Sequence, residues 1–227
     1  MPERIQIKIG KNDFSELFKF LINNNFSKSI NSWISEENGR LNKKFLFDDR
    51  NEWKNVIPNK YHKTIKFLIE KIQNYKSPFG DEKKNFLERI QVVKSNYTNN
   101  LNLNNKGQHL YNLHCDKLNT YKAVVFFSNV KIKDGPIYFA EIAKCHEQVI
   151  NKLKEIEIKK KKIPWNKINS TIFCKYEKPM LANIGDVIIF DGREPHRASL
   201  LKKKGYRALI VFELMTKKNS KLYRNSF

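Results

Sequence analysis

Residues Gly185 to Phe212 read GDVIIFDGREPHRASLLKKKGYRALIVF. Two apolar runs in this stretch, Val187 to Phe190 and Ala208 to Phe212, are too short for buried helices. They are rich in β-branched and aromatic side chains and are punctuated by Gly185, Gly192, Pro195 and Gly205. Runs of that kind read as strands, here Asp186 to Asp191 and Tyr206 to Met215. Gly185-Asp186 is a tight turn into the first, and Lys202-Lys203-Lys204-Gly205 turns the chain into the second. Further out, the same texture predicts strands at Leu110 to Asp116, Tyr121 to Val130, Pro136 to Glu141 and Ser170 to Tyr176. The connections are Asn99 to Lys106 and Lys131 to Gly135. Six short strands preceded by helices predict a mainly β chain with flanking helices, a jelly-roll barrel rather than a parallel α/β sheet.

The first third reads as helical. Asp13 is a candidate N-cap before Phe14, Leu17, Phe18, Leu21 and Ile22, which share one helical face. A second helix, Tyr61 to Tyr75, carries the stripe Ile65, Leu68, Ile69 and Ile72 and stops at Ser77-Pro78-Phe79-Gly80. Val149, Ile150, Leu153 and Ile156 predict a helix inserted at about 147–162, ending in the solvated run Lys159 to Lys162. Trp33, Trp53 and Trp165 read as packing residues before pocket residues.

With 227 residues, 40% of them hydrophobic, the chain has material for one sizeable core and little for two. Residues 1–227 therefore read as a single domain: 1–85 as a helical part packed on the barrel, and 86–227 as the barrel with its inserted helix. The sequence contains no apolar run of the roughly 18 residues a membrane helix requires. Met1-Pro2-Glu3-Arg4 lacks a secretory pattern, so the expectation is a soluble cytoplasmic protein. Cys115, Cys145 and Cys174 are too scattered for a disulfide framework, and their spacing gives no support to a zinc site with His146. The net charge of +21 raises nucleic acid or an anionic ligand as partners. The excess is mostly lysine and accompanies abundant Asn and Ile, which share adenine- and thymine-rich codons, so solvated lysine is preferred to a nucleic-acid surface.

Chemistry concentrates in a few residues. In a strand, alternate side chains share a face, so His114 and Asp116 can converge on one ion while Cys115 points away. His196, after the link Asp191-Gly192-Arg193-Glu194-Pro195, is the best third ligand. Two imidazoles and one carboxylate are the set that holds Fe(II) on one face and leaves positions open. Eleven residues on stands Arg207; if its strand neighbours that of His196, it faces into the same barrel. A buried guanidinium requires an anion, and a dicarboxylate such as 2-oxoglutarate, chelating iron at its 2-oxo acid end, would present its other carboxylate there. Lys122 and Tyr111 lie near the metal strand, where each either adds a hydrogen bond to the co-substrate or faces outward.

His114-Cys115-Asp116, Tyr121 to Val130, Asp134-Gly135-Pro136-Ile137, Gly185 to Asp191, His196 and Arg207, taken in this order, resemble the phytanoyl-CoA dioxygenase family over roughly residues 107–215. The resemblance implies a double-stranded β-helix core of cupin-like type, with iron, 2-oxoglutarate and dioxygen as cofactor and co-substrates. It also implies hydroxylation of a small-molecule or carrier-bound substrate, with release of succinate and CO2. The chain departs from the family at Ala143-Lys144-Cys145-His146 and at Arg197-Ala198-Ser199, where the family often carries a Pro-Gly-Ser-His stretch and a small hydroxyl residue. The competing readings are a metal-binding barrel without catalysis and a basic nucleic-acid-binding protein. The lysine runs are compatible with an anionic substrate, and the sequence is silent on oligomeric state.

Overall fold

The computed structural model describes residues 2–6, 11–23, 32–37, 40–46, 52–79, 86–97, 111, 113–116, 120–141, 143–144, 147–148, 150–151, 154 and 176–215. The described elements are β1 (Glu3–Gln6), α1 (Lys11–Asn23), β2 (Ser32–Glu37), β3 (Arg40–Leu46), α2 (Glu52–Val56), α3 (His62–Asn74), β4 (Phe86–Asn96), β5 (Thr120–Phe126), β6 (Ile137–Ala140), β7 (Glu177–Met180), β8 (Asp186–Asp191), β9 (His196–Arg197) and β10 (Tyr206–Met215). A large antiparallel sheet runs β1-β8-β5-β10-β4-β3-β2, and a small one runs β7-β6-β9. His114 extends the small sheet by an isolated antiparallel bridge to His196. These two facing sheets form the double-stranded β-helix, or jelly roll, expected from the sequence.

Alternation along β10 separates the two cores. Ile210, Phe212 and Leu214 join Ala123, Val125, Val187 and Ile189 on one face of the large sheet, beneath Leu17 and Leu21 of α1 and Ile65, Leu68 and Ile72 of α3. Leu209 faces the other way with Val93, Val124, Phe126, Ile188 and Phe190, against Phe139 of the small sheet. Because both faces of β8 and β10 are covered, their sequences are almost continuously apolar. That is why their predicted bounds coincide with the observed ones. Trp53 is 2% exposed within the helix-side core, a packing residue.

Several expectations require correction. The first third is not only helical, since it contributes β1, β2 and β3 to the large sheet. Asp13 lies inside α1, which begins at Lys11. Leu110 to Asp116 is not a strand where it is described; His114 makes a single bridge, because its partner β9 is two residues long. The strand from Tyr121 ends at Phe126, where the Phe126 carbonyl accepts the Gly185 N–H (2.9 Å), and Val130 then bridges to Ala182 in crossing toward the small sheet. Nor do the strands of His196 and Arg207 neighbour each other: β9 belongs to the small sheet, and β10 lies between β5 and β4 in the large one.

Pro136 to Glu141 is realised as β6. Except for Tyr176, the predicted strand Ser170 to Tyr176 lies outside the described residues, as do Cys145, His146, Trp165, Cys174 and Lys159 to Lys162. Within 147–162 the described residues 147, 148, 150, 151 and 154 are helical. Glu141 and Tyr176, on either side of 142–175 in sequence, meet where the Glu141 N–H donates to the Tyr176 carbonyl (2.9 Å) beside the Ala140–Glu177 strand pair. No described helix is long and apolar enough to cross a membrane.

Candidate metal centre

One ligand atom from each of His114, Asp116 and His196 lies within 4.8 Å of the others, and all three residues are buried. The backbone sets this up. His114 and His196 exchange both hydrogen bonds of an antiparallel pair, at 3.0 and 2.9 Å, which brings their ring centroids to 4.7 Å. Two residues on, the Asp116 N–H donates to the Gly192 carbonyl (2.8 Å), while the Gly192 N–H donates to Thr120 (2.6 Å). A Cβ at Gly192 would collide with Asp116 Oδ2 and Thr120 Oγ1. Glycine is therefore the residue that permits Asp116 to approach.

The His196 ring is oriented from behind. Its Nδ1 stands 2.7 Å from the Glu194 carbonyl, which can only accept, so Nδ1 carries the proton and the Nε2 lone pair is left for a ligand. Glu194 is itself fixed by Tyr75, whose hydroxyl donates to Oε1 at 2.6 Å, and by the Asp191 N–H at 3.0 Å. Phe190 and Phe139 wall the ring, with centroids at 5.0 and 6.1 Å. Burial lowers the His196 imidazole to about 3 and so keeps it neutral. Burial alone would raise the Asp116 carboxyl, but the Lys122 ammonium and then the two imidazoles outweigh it and hold that group well below the usual carboxylate range. A neutral imidazole with an aimed lone pair and an ionised carboxylate are the forms in which these groups bind a metal.

Lys122 stands at this cluster rather than beside Arg207. Its ammonium is 2.6 Å from Asp116 Oδ2 and 3.9 Å from Glu213, which also pairs with buried Arg89. Arg207 is 4% exposed and faces inward on β10. Its Nη1 donates to the carbonyls of Gly135 and of Ser199, the latter at 3.3 Å. The Ser199 hydroxyl donates to the Pro136 carbonyl (2.6 Å). Burial, and then the like charge of Arg40, lowers the Arg207 guanidinium to about 10. Tyr111, half-buried, hydrogen-bonds Arg40 beside it. The structure thus gathers Arg207 and Tyr111, places Lys122 with the triad, and adds Arg40, a residue absent from the sequence reading. The signal that could have found Arg40 is Asn38-Gly39, a hairpin dipeptide directly before it.

The sequence matches no protein-family model and no curated protein. Solved structures do match. SnoK, the non-heme α-ketoglutarate-dependent carbocyclase from nogalamycin biosynthesis, aligns with a TM-score of 0.55 at 10% identity, over 94% of this chain and 79% of its own. HygX from Streptomyces hygroscopicus with iron bound aligns at 0.52 and 10% identity, over 94% of this chain and 81% of HygX. EvdMO1 aligns at 0.51 and 13% identity, over 95% of this chain and 47% of its own. At these identities the likeness is one of fold.

Proposed function

We propose that this chain is an Fe(II)- and 2-oxoglutarate-dependent oxygenase of the phytanoyl-CoA dioxygenase type, acting on a small-molecule or carrier-bound substrate. The observation that carries the reading is the convergence of His114, Asp116 and His196 in a buried cluster on a barrel that also buries Arg207. The fold is that of SnoK and HygX, one named for α-ketoglutarate dependence and the other solved with iron. Iron bound by the triad would use dioxygen and 2-oxoglutarate to oxidise a substrate C–H bond, yielding succinate and CO2.

The protein's own contribution is placement. His114 and His196 offer neutral nitrogen donors, and Asp116 offers the charge that favours a dication. Arg207 meets the distal carboxylate of the co-substrate, and Phe139 and Phe190 exclude water from the ring of His196. Lys122 and Glu213 balance charge beside Asp116. Hydroxylation is preferred to halogenation here, because the Asp116 carboxylate would fill the metal position that a halide needs. The carbocyclase on the same fold shows that the scaffold does not dictate the product.

Reconstituting the metal-free protein with Fe(II) and measuring succinate from 2-oxoglutarate tests the reading, alongside metal content of His114→Ala, Asp116→Ala and His196→Ala. Iron-dependent succinate production that all three substitutions abolish, together with iron retention, is the expected result. Full iron occupancy in any one variant removes that residue from the site. Absence of 2-oxoglutarate turnover with every candidate substrate, in a protein that binds iron, would favour a metal-binding barrel without catalysis.

A further inference from the structure

Strand register sets three polar residues in one row. Arg40 on β3 is the cross-strand partner of Ser95 on β4, and Ser95 is the partner of Arg207 on β10. Two strand spacings separate the arginines, roughly 10 Å between their backbones, well within the combined reach of two guanidinium side chains. Among the described residues, three buried side-chain nitrogen or oxygen atoms lack a hydrogen-bond partner: Arg40 Nε, Ser95 Oγ and Arg207 Nε. All three belong to this row.

The other arginines with described side chains each meet a carboxylate: Arg89 meets Glu213, Arg193 meets Asp191 at 2.6 Å, and Arg197 meets Glu177 at 2.6 Å. Arg40 and Arg207 face only neutral groups among the described residues, the Tyr111 hydroxyl and the carbonyls of Gly135 and Ser199. Two guanidiniums buried side by side without a counter-ion are costly, and an anion that both contact removes the cost. Arg207 cannot present its whole fork to such an anion, because Nη1 is already engaged by two carbonyls. Tyr111, which touches Arg40, precedes His114 by three residues, so at most about 11 Å of extended chain separates their backbones.

We propose that Arg40 is a second cation of the co-substrate pocket, so that the distal carboxylate of the 2-oxo acid lies between Arg40 and Arg207 with the Ser95 hydroxyl as a further donor. This rests on the co-substrate reading above. A carboxylate offers about four lone-pair positions, enough for donors from both arginines and the serine. Arg40 is a positioning and specificity residue: it selects acids with a second carboxylate, and the triad holds the 2-oxo acid end.

The test is equilibrium titration of the full chain loaded with Ni(II), using 2-oxoglutarate and 2-oxobutyrate, which lacks the distal carboxylate. Arg40→Gln should weaken 2-oxoglutarate roughly 10- to 100-fold, the loss of a charge-assisted contact, and leave 2-oxobutyrate unchanged. In the absence of ligand it should melt at or above the wild-type temperature, because it removes an unpaired buried charge; an arginine with only a structural role would lower it. If Arg40→Gln does not fold, Arg40→Lys carries the comparison, with the same selective weakening expected to a smaller degree. Wild-type affinity for 2-oxoglutarate, or equal loss for both acids, in the variant that folds overturns the assignment of Arg40. A wild-type protein that binds neither acid overturns the co-substrate reading itself, and the proposal with it.

Discussion

Gly192→Ala would add one methyl group at the point where Asp116 approaches the chain. That Cβ would stand 3.0 Å from Asp116 Cγ, and closer still to its Oδ2, where carbon atoms at rest keep about 3.5–4.0 Å. The carboxyl must therefore retreat by about 0.5–1 Å, because the backbone cannot. Gly192 is pinned on one side by the Asp116 N–H at 2.8 Å and on the other by the Thr120 carbonyl at 2.6 Å. Metal–ligand distances tolerate about ±0.2 Å, so the displacement takes Asp116 out of ligand range. Overpacking of this kind costs about 1–3 kcal/mol of stability, and metal affinity should fall by about 10–100-fold, as for loss of a ligand's support. Fe(II) titration of the metal-free protein under anaerobic conditions, with urea unfolding in parallel, separates the two. Gly185→Ala is the control: its φ of +88° makes the substitution strained, yet no atom lies within 4 Å of the added Cβ, so stability should fall and metal binding should not. A Gly192→Ala protein that binds Fe(II) as tightly as the wild type would refute the reasoning.

Glu213→Gln leaves Arg89 without its buried carboxylate and Lys122 with one partner fewer, and should cost about 3–5 kcal/mol by urea unfolding; the paired change Arg89→Met with Glu213→Leu should recover most of it. Arg207→Lys should raise the 2-oxoglutarate requirement and leave metal binding intact, because lysine keeps the charge but not the fan of donors; an unchanged Michaelis constant for 2-oxoglutarate counts against this. For the metal-free protein, the folded-state His196 lies at about 3 against its ordinary 6.5, and Asp116 is also depressed from 3.8. The unfolded chain thus takes up protons that the folded one refuses, so this contribution is full above pH 6.5 and is lost as pH falls toward 3. His196 sets a slope of at most about 1.4 kcal/mol per pH unit. Unfolding free energy that stays flat between pH 7 and pH 5 would contradict it.

The residues most legible in the sequence are those whose environment is uniform. β8 and β10 are covered on both faces, so their apolar runs stand out and their bounds follow directly. His114, Asp116 and His196 were legible by residue type and order, although the strand supposed to carry the first two is a single bridge. Lys122 was visible as a polar residue near the candidate metal strand, but its partners, Asp116 and Glu213, lie on separate segments whose register no local pattern reveals. The N-terminal strands were missed for a different reason. Ser32–Glu37 and Arg40–Leu46 carry few apolar residues among lysine, asparagine and glutamate, and their sheet character comes from pairing with β4. Only the Asn38-Gly39 dipeptide announced them. With those strands read as helix, Arg40 had no route to Arg207.

The backbone clasp between Glu141 and Tyr176 has a bearing on how this chain could be re-engineered. Glu141 and Tyr176 are far apart in sequence, both between the His114–Asp116 pair and His196, yet they meet at one hydrogen bond beside β6 and β7. The entropy of closing a connection between such neighbours grows only with the logarithm of its length, about 0.6 kcal/mol for each doubling. The junction at Glu141 and Tyr176 should therefore accept foreign sequence between its two ends. A tight hairpin turn, or an entire folded cargo with neighbouring termini, could be spliced in there while the triad keeps its spacing.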